Sequence, residues 1–115
     1  MYSFELLENE KIIKKGLGNL TLEGMLFNGA VYLTNERLMF VGYLLDQTNK
    51  HYTDISLYHI DEIRKGKTFR IFPNVLVIHS LQNVEWKLTI SGRDAWYDAV
   101  QNQLSLMVDE GVNRL

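Results

Sequence analysis

Three histidines and one cluster of cations are the residues of this chain whose types suit chemistry, and their spacing separates the two cases. His51, His59 and His79 fall on strand-like segments, none beside a Ser or Asp in a pattern that marks a nucleophile, and no pair has the helical spacing of a metal site. They read as structural or solvated histidines. Cysteine is absent, which excludes thiolate catalysis, Cys-bound zinc and disulfides together. Gly16-Leu17-Gly18 is too short for a phosphate loop and is not followed by Gly-Lys-Ser/Thr. The expectation is a non-enzymatic chain with no catalytic residue, no metal site and no cofactor.

Anion binding is the other case. Arg64-Lys65-Gly66-Lys67-Thr68-Phe69-Arg70 contains four cations in seven residues and no acid. Arg64, Lys65, Lys67 and Arg70 suit the phosphates of anionic lipid headgroups, and Phe69 and Phe72 beside them suit entry into the headgroup layer. The opposing reading is a solvated hairpin whose Phe69, Ile71 and Phe72 turn into the core, with Asp61-Glu62 diluting the charge. A second group, Lys11, Lys14 and Lys15, finds no further cation before Arg37 and meets Glu23 instead, so it reads as a charged strand edge that discourages aggregation. The formal charge of the whole chain is −2, which supplies no general attraction to nucleic acid.

These side chains need a scaffold, and 115 residues supply one domain over 1–115 that can hide about two-thirds of its unfolded surface. The start, Met1 to Glu10, lacks the basic and apolar regions of a secretory signal. The longest apolar or glycine run, Leu38 to Leu45, is far short of the ~20 residues that span a bilayer. A cytoplasmic, non-transmembrane protein is expected, with peripheral membrane contact as the alternative.

Alternation of apolar and polar residues predicts strands from about 11 to 90. Leu20, Leu22 and Leu26 are assigned inward on one strand, and Val31, Leu33, Leu38 and Phe40 inward on the next two. Spacing changes to three residues at Leu57, Ile60 and Ile63, which marks a bend. Asn74 to Ser80 and Val84 to Ile90 form a later hairpin around Leu81-Gln82-Asn83. From 92 to about 108 a helix is predicted, with Ser91 as its N-cap and Trp96, Val100, Leu104 and Met107 along one stripe. The fold class is mainly β with one C-terminal α-helix.

Three of these segments resemble GRAM domains. Gly29-Ala30-Val31-Tyr32-Leu33-Thr34-Asn35-Glu36-Arg37-Leu38-Met39-Phe40 is similar to that family's Gly-x-hydrophobic-hydrophobic-hydrophobic-Thr-x-x-Arg-hydrophobic-x-Phe element. The segment carrying Leu57, Ile60 and Ile63 resembles its crossover between sheets, and Pro73-Asn74-Val75-Leu76-Val77-Ile78 its Pro-Asn-x-Leu-x-Ile strand. The resemblance implies a pleckstrin-homology-like barrel or β-sandwich of about seven antiparallel strands capped by a helix, acting as a module that binds lipids or proteins. In the first hairpin, Met25, Phe27, Tyr32, Met39, Val41, Tyr43 and Leu45 form a second apolar set between the assigned core residues. Phe27, Tyr32, Met39, Val41 and Tyr43 are therefore the candidates for contact with a partner protein or a second copy of the chain, unless the N-terminal segment with Phe4, Leu6 and Leu7 covers them.

Overall fold

The computed structural model describes residues 3–44 and 49–113, with helix side chains described through Met107. Glu23 and Gly24 both adopt positive φ, 51° and 79°, the left-handed pair that a two-residue hairpin needs. They join β1 (Ile12–Leu22) to β2 (Met25–Thr34), and the chain continues through β3 (Arg37–Leu44) and β4 (Lys50–Ser56). A single 3-10 turn, Leu57–His59, leads into β5 (Ile60–Thr68), followed by β6 (Phe72–Ser80), β7 (Glu85–Ile90) and α1 (Arg93–Asn113).

All the ladders are antiparallel and the strand order is β4-β3-β2-β1-β7-β6-β5. The two end strands, β4 and β5, do not pair, so the sheet bends over itself without closing into a barrel. Their connection is the reason. The 3-10 turn sinks Leu57 into the core and carries the chain across it, with Ile63 buried and Ile60 packed alongside, as the three-residue spacing predicts.

Inside the bend, Leu20, Val31, Leu33, Leu38, Phe40, Leu76, Ile78, Trp86 and Leu88 are fully buried. The helix closes the open side with Trp96 and Val100, and Leu104 and Met107 pack against the same cluster. Burial of each large side chain contributes about 1.5 to 3 kcal/mol. Trp96 lies against β1 because Gly16 has no side chain there: a Cβ at that position would be 3.2 Å from the indole. Gly92, at φ 73°, accepts the first helical hydrogen bond from Trp96 N at 3.1 Å and so takes the N-cap position assigned to Ser91.

One strand face is corrected. Leu20 pairs across the ladder with Phe27, so Phe27 shares its inward face, whereas Leu26 faces out and is 40% exposed. The period-two rule applied from Val31 backwards reaches Phe27 and not Leu26.

Gly29 and Gly42 are cross-strand partners whose backbones approach closely: a Cβ on Gly29 would lie 2.6 Å from Gly42 Cα and overlap the Val41 carbonyl. Gly29→Ala is therefore expected to lower stability by about 3 kcal/mol. Urea unfolding measures it, with exposed Asn28→Ala as a control expected to change stability by under about 0.5 kcal/mol.

Candidate functional site

The Thr34-Asn35-Glu36-Arg37 turn does more than reverse the chain. Thr34 Oγ1 accepts from Glu36 N and Arg37 N, each at 3.0 Å, and donates to Glu10 Oε2 at 2.6 Å. Arg37 closes a fork on the same carboxylate, with Nε to Oε2 at 3.0 Å and Nη2 to Oε1 at 3.2 Å, and reaches Asp54 Oδ2 at 3.0 Å. Its Nη2 also donates to the Glu5 carbonyl at 3.1 Å, and Leu7 N donates to Glu10 Oε1 at 2.8 Å. Asn35 adds one bond to Lys11 N and one to the Asn9 carbonyl.

These bonds strap residues 3–11 over the outer face of the first hairpin. Phe4 lies edge-on to Tyr32 at 4.9 Å between ring centres, and the Arg37 guanidinium sits 5.3 Å from the Phe4 ring. On the same face Met39 is 6% exposed and Val41 is fully buried. Of the five hairpin contact candidates, Phe27 is a core residue packed on Phe40 and His51, Met39 and Val41 are buried, and only Tyr32 and Tyr43 remain half-exposed. Leu45 lies outside the described residues. The second apolar face is real, but the chain itself covers part of it. Beside Tyr32 a shallow groove of 320 Å³ remains, walled by Lys15, Leu17 and Ala30.

The four cations of 64–70 divide into two pairs. Arg64 lies 3.6 Å from Glu62 and 3.7 Å from Glu85, and Lys65 lies 3.2 Å from Asp94 and 4.8 Å from the Tyr97 ring centre. Arg93 first and Lys65 second hold the Asp94 carboxyl below its usual pKa, so that acid stays charged. Lys67 and Arg70 are exposed and form no ion pair among the described residues. Between and beside them Phe69 is 82%, Ile71 71% and Phe72 54% exposed, against the reading that turned these three into the core.

Strand lengths explain that difference. The β6–β7 ladder ends at Val75 opposite Thr89, so β5 and β6 run on past their neighbour as a two-stranded finger with no opposing layer. The register shift between Gly66 and Thr68 puts Phe72 opposite Thr68, out of step with the inward Leu76 and Ile78. At the tip, Phe69 and Arg70 have φ of 52° and 61°, Ile71 N donates to the Thr68 carbonyl, and Thr68 Oγ1 donates to Asn74 Oδ1 at 2.7 Å. The apolar tips are thus held outward by local hydrogen bonds. Ile71 was not among the sequence-derived site residues, and the signal for it is its place between Arg70 and Phe72 at a turn.

The histidines do not converge. His51 is edge-on to Phe27, His79 Nδ1 lies 3.3 Å from Asp61 Oδ2, and His59 occupies the 3-10 turn. No group of three metal-ligating side chains gathers among the described residues.

A family model described as the GRAM domain matches residues 1–108, a span that takes in the strap, the whole sheet and most of the helix. The chain belongs to the GRAM family. No curated protein matches this GRAM domain in sequence. Among solved structures, the C-terminal domain of an unknown protein from Leishmania infantum is similar at TM-score 0.70 and 22% identity, over 84% of this chain and 86% of that one. A structure of Vav1 inhibited by an allosteric inhibitor is similar at TM-score 0.63 and 11% identity, over 83% of this chain but 27% of that one. Both likenesses concern the fold, which is pleckstrin-homology-like. GRAM domains commonly act as binding modules, and no helix among the described residues is long and apolar enough to cross a membrane.

The strap makes an acid-sensitive contact. Burial by itself raises the Glu10 pKa, but the hydrogen bonds from Arg37, Thr34 and Leu7 and the Arg37 charge outweigh it, leaving the carboxyl below its ordinary value of 4.5. Its stabilising contribution is therefore complete above that value and lost as pH falls through the lower folded one. Urea midpoints measured from about pH 6 down to about pH 3 are expected to fall, and Glu10→Gln is expected to flatten part of that fall. Arg37→Met, which leaves the carboxylate buried without its partner, is expected to cost about 3 kcal/mol near neutral pH.

Proposed function

We propose that this GRAM domain docks peripherally on anionic membrane surfaces through the tip of its β5–β6 finger. The observation that carries the reading is the outward trio Phe69, Ile71 and Phe72 flanked by Lys67 and Arg70, which form no ion pair among the described residues. Exposed large apolar side chains on a narrow finger gain little from a flat protein partner, but they enter the interfacial layer of a bilayer readily. Each cation brought to an anionic surface contributes about 1 kcal/mol, and each inserted apolar side chain a comparable amount or more.

Protein contact through the first hairpin is the weaker reading, because Phe27, Met39 and Val41 are already buried within the chain. Arg64 and Lys65 are secondary for lipid, since their charges are met by Glu62, Glu85 and Asp94. Neither the charge nor the apolar tip alone makes a stable anchor. Together they give reversible, salt-sensitive attachment.

Flotation with phosphatidylcholine vesicles, with and without phosphatidylserine, tests it. Binding is expected only with the anionic lipid at low salt. The pair Lys67→Glu with Arg70→Glu, and separately Phe69→Ser with Ile71→Ser, are each expected to weaken it roughly tenfold or more. Arg64→Ala is expected to change it less than about twofold. Equal binding to neutral vesicles, or full binding by both double variants, rules the reading out.

A further inference from the structure

The tip of the β5–β6 finger is a strained turn. Phe69 and Arg70 are its central residues, and both have positive φ, 52° and 61°. A turn of that geometry is ordinarily built from Asn and Gly, because a bulky side chain crowds its own backbone there. What closes it is the pairing of Thr68 with Phe72, the bond from Ile71 N to the Thr68 carbonyl, and the side-chain bond from Thr68 Oγ1 to Asn74 Oδ1 at 2.7 Å.

Below the turn the finger has a fixed base. Arg93 Nη1, on α1, donates to the Gly66 carbonyl at 2.7 Å, and the β6–β7 ladder reaches Val75, the residue opposite Gly66. Beyond that pair no third strand supports β5 and β6, and a two-stranded ribbon without an opposing layer is marginally stable. The segment from Lys67 to Asn74 can therefore open locally while the rest of the sheet stays folded.

Thr68 is the only hydroxyl-bearing residue of 64–72, and it is half-buried. Arg64, Lys65 and Lys67 precede it, Phe69 and Arg70 follow it, and the run contains no acid. A protein kinase whose substrate cleft is lined by carboxylates on both sides of the acceptor matches this distribution of charge. Other hydroxyls lack the setting: Thr34 is buried on Glu10, and Thr53 adjoins Asp54. Opening the tip frees the Thr68 hydroxyl from Asn74 and presents the cations around it as an extended segment.

We infer that Thr68 is a phosphorylation site and that its phosphate releases the finger from anionic membranes, an inference that rests on the docking reading above. In the transfer step Thr68 Oγ1 bonds to the γ-phosphorus of magnesium ATP, the bond from that phosphorus to the β–γ bridging oxygen breaks, ADP departs, and the hydroxyl proton passes to the kinase's carboxylate base. The product carries a charge of about −1.5 to −2, which offsets the positive charges of its neighbours Lys67 and Arg70. Its esterified oxygen no longer donates to Asn74 Oδ1, so the clasp on the strained turn is lost together with the attraction to the surface.

The experiment uses the whole chain, magnesium ATP and the catalytic fragment of protein kinase C. Tandem mass spectrometry is expected to place a phosphate on Thr68, and Thr68→Val to take up none within 64–72. Flotation with phosphatidylserine-containing vesicles at low salt then compares the forms. The phosphorylated chain is expected to bind roughly tenfold or more weakly than the unmodified one, with binding restored by a phosphatase. Thr68→Val removes the clasp without adding charge and is expected to stay within about threefold of the unmodified chain. If the unmodified chain does not float, membrane docking fails and the switch with it. If it floats and the phosphorylated chain floats equally well, only the switch is overturned. Absence of phosphate from Thr68, or a loss of binding in Thr68→Val as large as that caused by the phosphate, overturns it as well.

Discussion

One carboxylate, that of Glu10, ties together parts of the chain that local structure would leave apart. Its side chain is wholly removed from solvent and satisfied by the Arg37 fork, the Thr34 hydroxyl and Leu7 N. A buried charge is tolerable only with such complete pairing, so the turn that supplies Thr34 and Arg37 and the strap that supplies Glu10 must adopt their positions together. Arg37 extends the constraint to β4 through Asp54 and to the strap backbone through Glu5. The ion pair is thus the point where three stretches distant in sequence are fastened.

The fastening decides which surfaces are free. With Phe4 over Tyr32, and with Met39 and Val41 buried, the outer face of the first hairpin becomes a minor inner layer. Phe69, the most exposed of the large apolar side chains, lies elsewhere with Ile71 and Phe72, on the finger that β5 and β6 extend beyond β7. There is a common physical cause for the finger and the open β4 edge. A sheet whose strands differ in length and whose ends do not meet leaves both a protruding hairpin and an edge strand.

Much of the fold was legible because period-two alternation reports burial directly. Val31, Leu33, Leu38 and Phe40 alternate cleanly and are all fully buried, and Trp96, Val100, Leu104 and Met107 recur at helical spacing and meet the core as one stripe. Errors arose where parity was counted across a disturbed point. Leu26 stands an even number of residues from Leu22, but the Glu23-Gly24 turn intervenes and the ladder places Phe27 opposite Leu20. The helix cap fell on Gly92 and not on Ser91 for a similarly local reason, a backbone angle that glycine reaches without strain.

The sequence by itself determined the GRAM motif, a succession of alternating strands with a closing helix, and a run of four cations beside aromatics, because each is written in nearest-neighbour spacing. Only the tertiary structure decided that Arg64 and Lys65 meet acids while Lys67 and Arg70 form no ion pair among the described residues, that Phe69, Ile71 and Phe72 point outward, and that β4 ends the strand order. Those outcomes depend on Glu85, Asp94 and the end of β7, which lie far along the chain and meet the 64–72 segment only once the sheet has bent. Alternation records which way a side chain points along its own strand, but whether anything stands opposite is a property of the assembled layers.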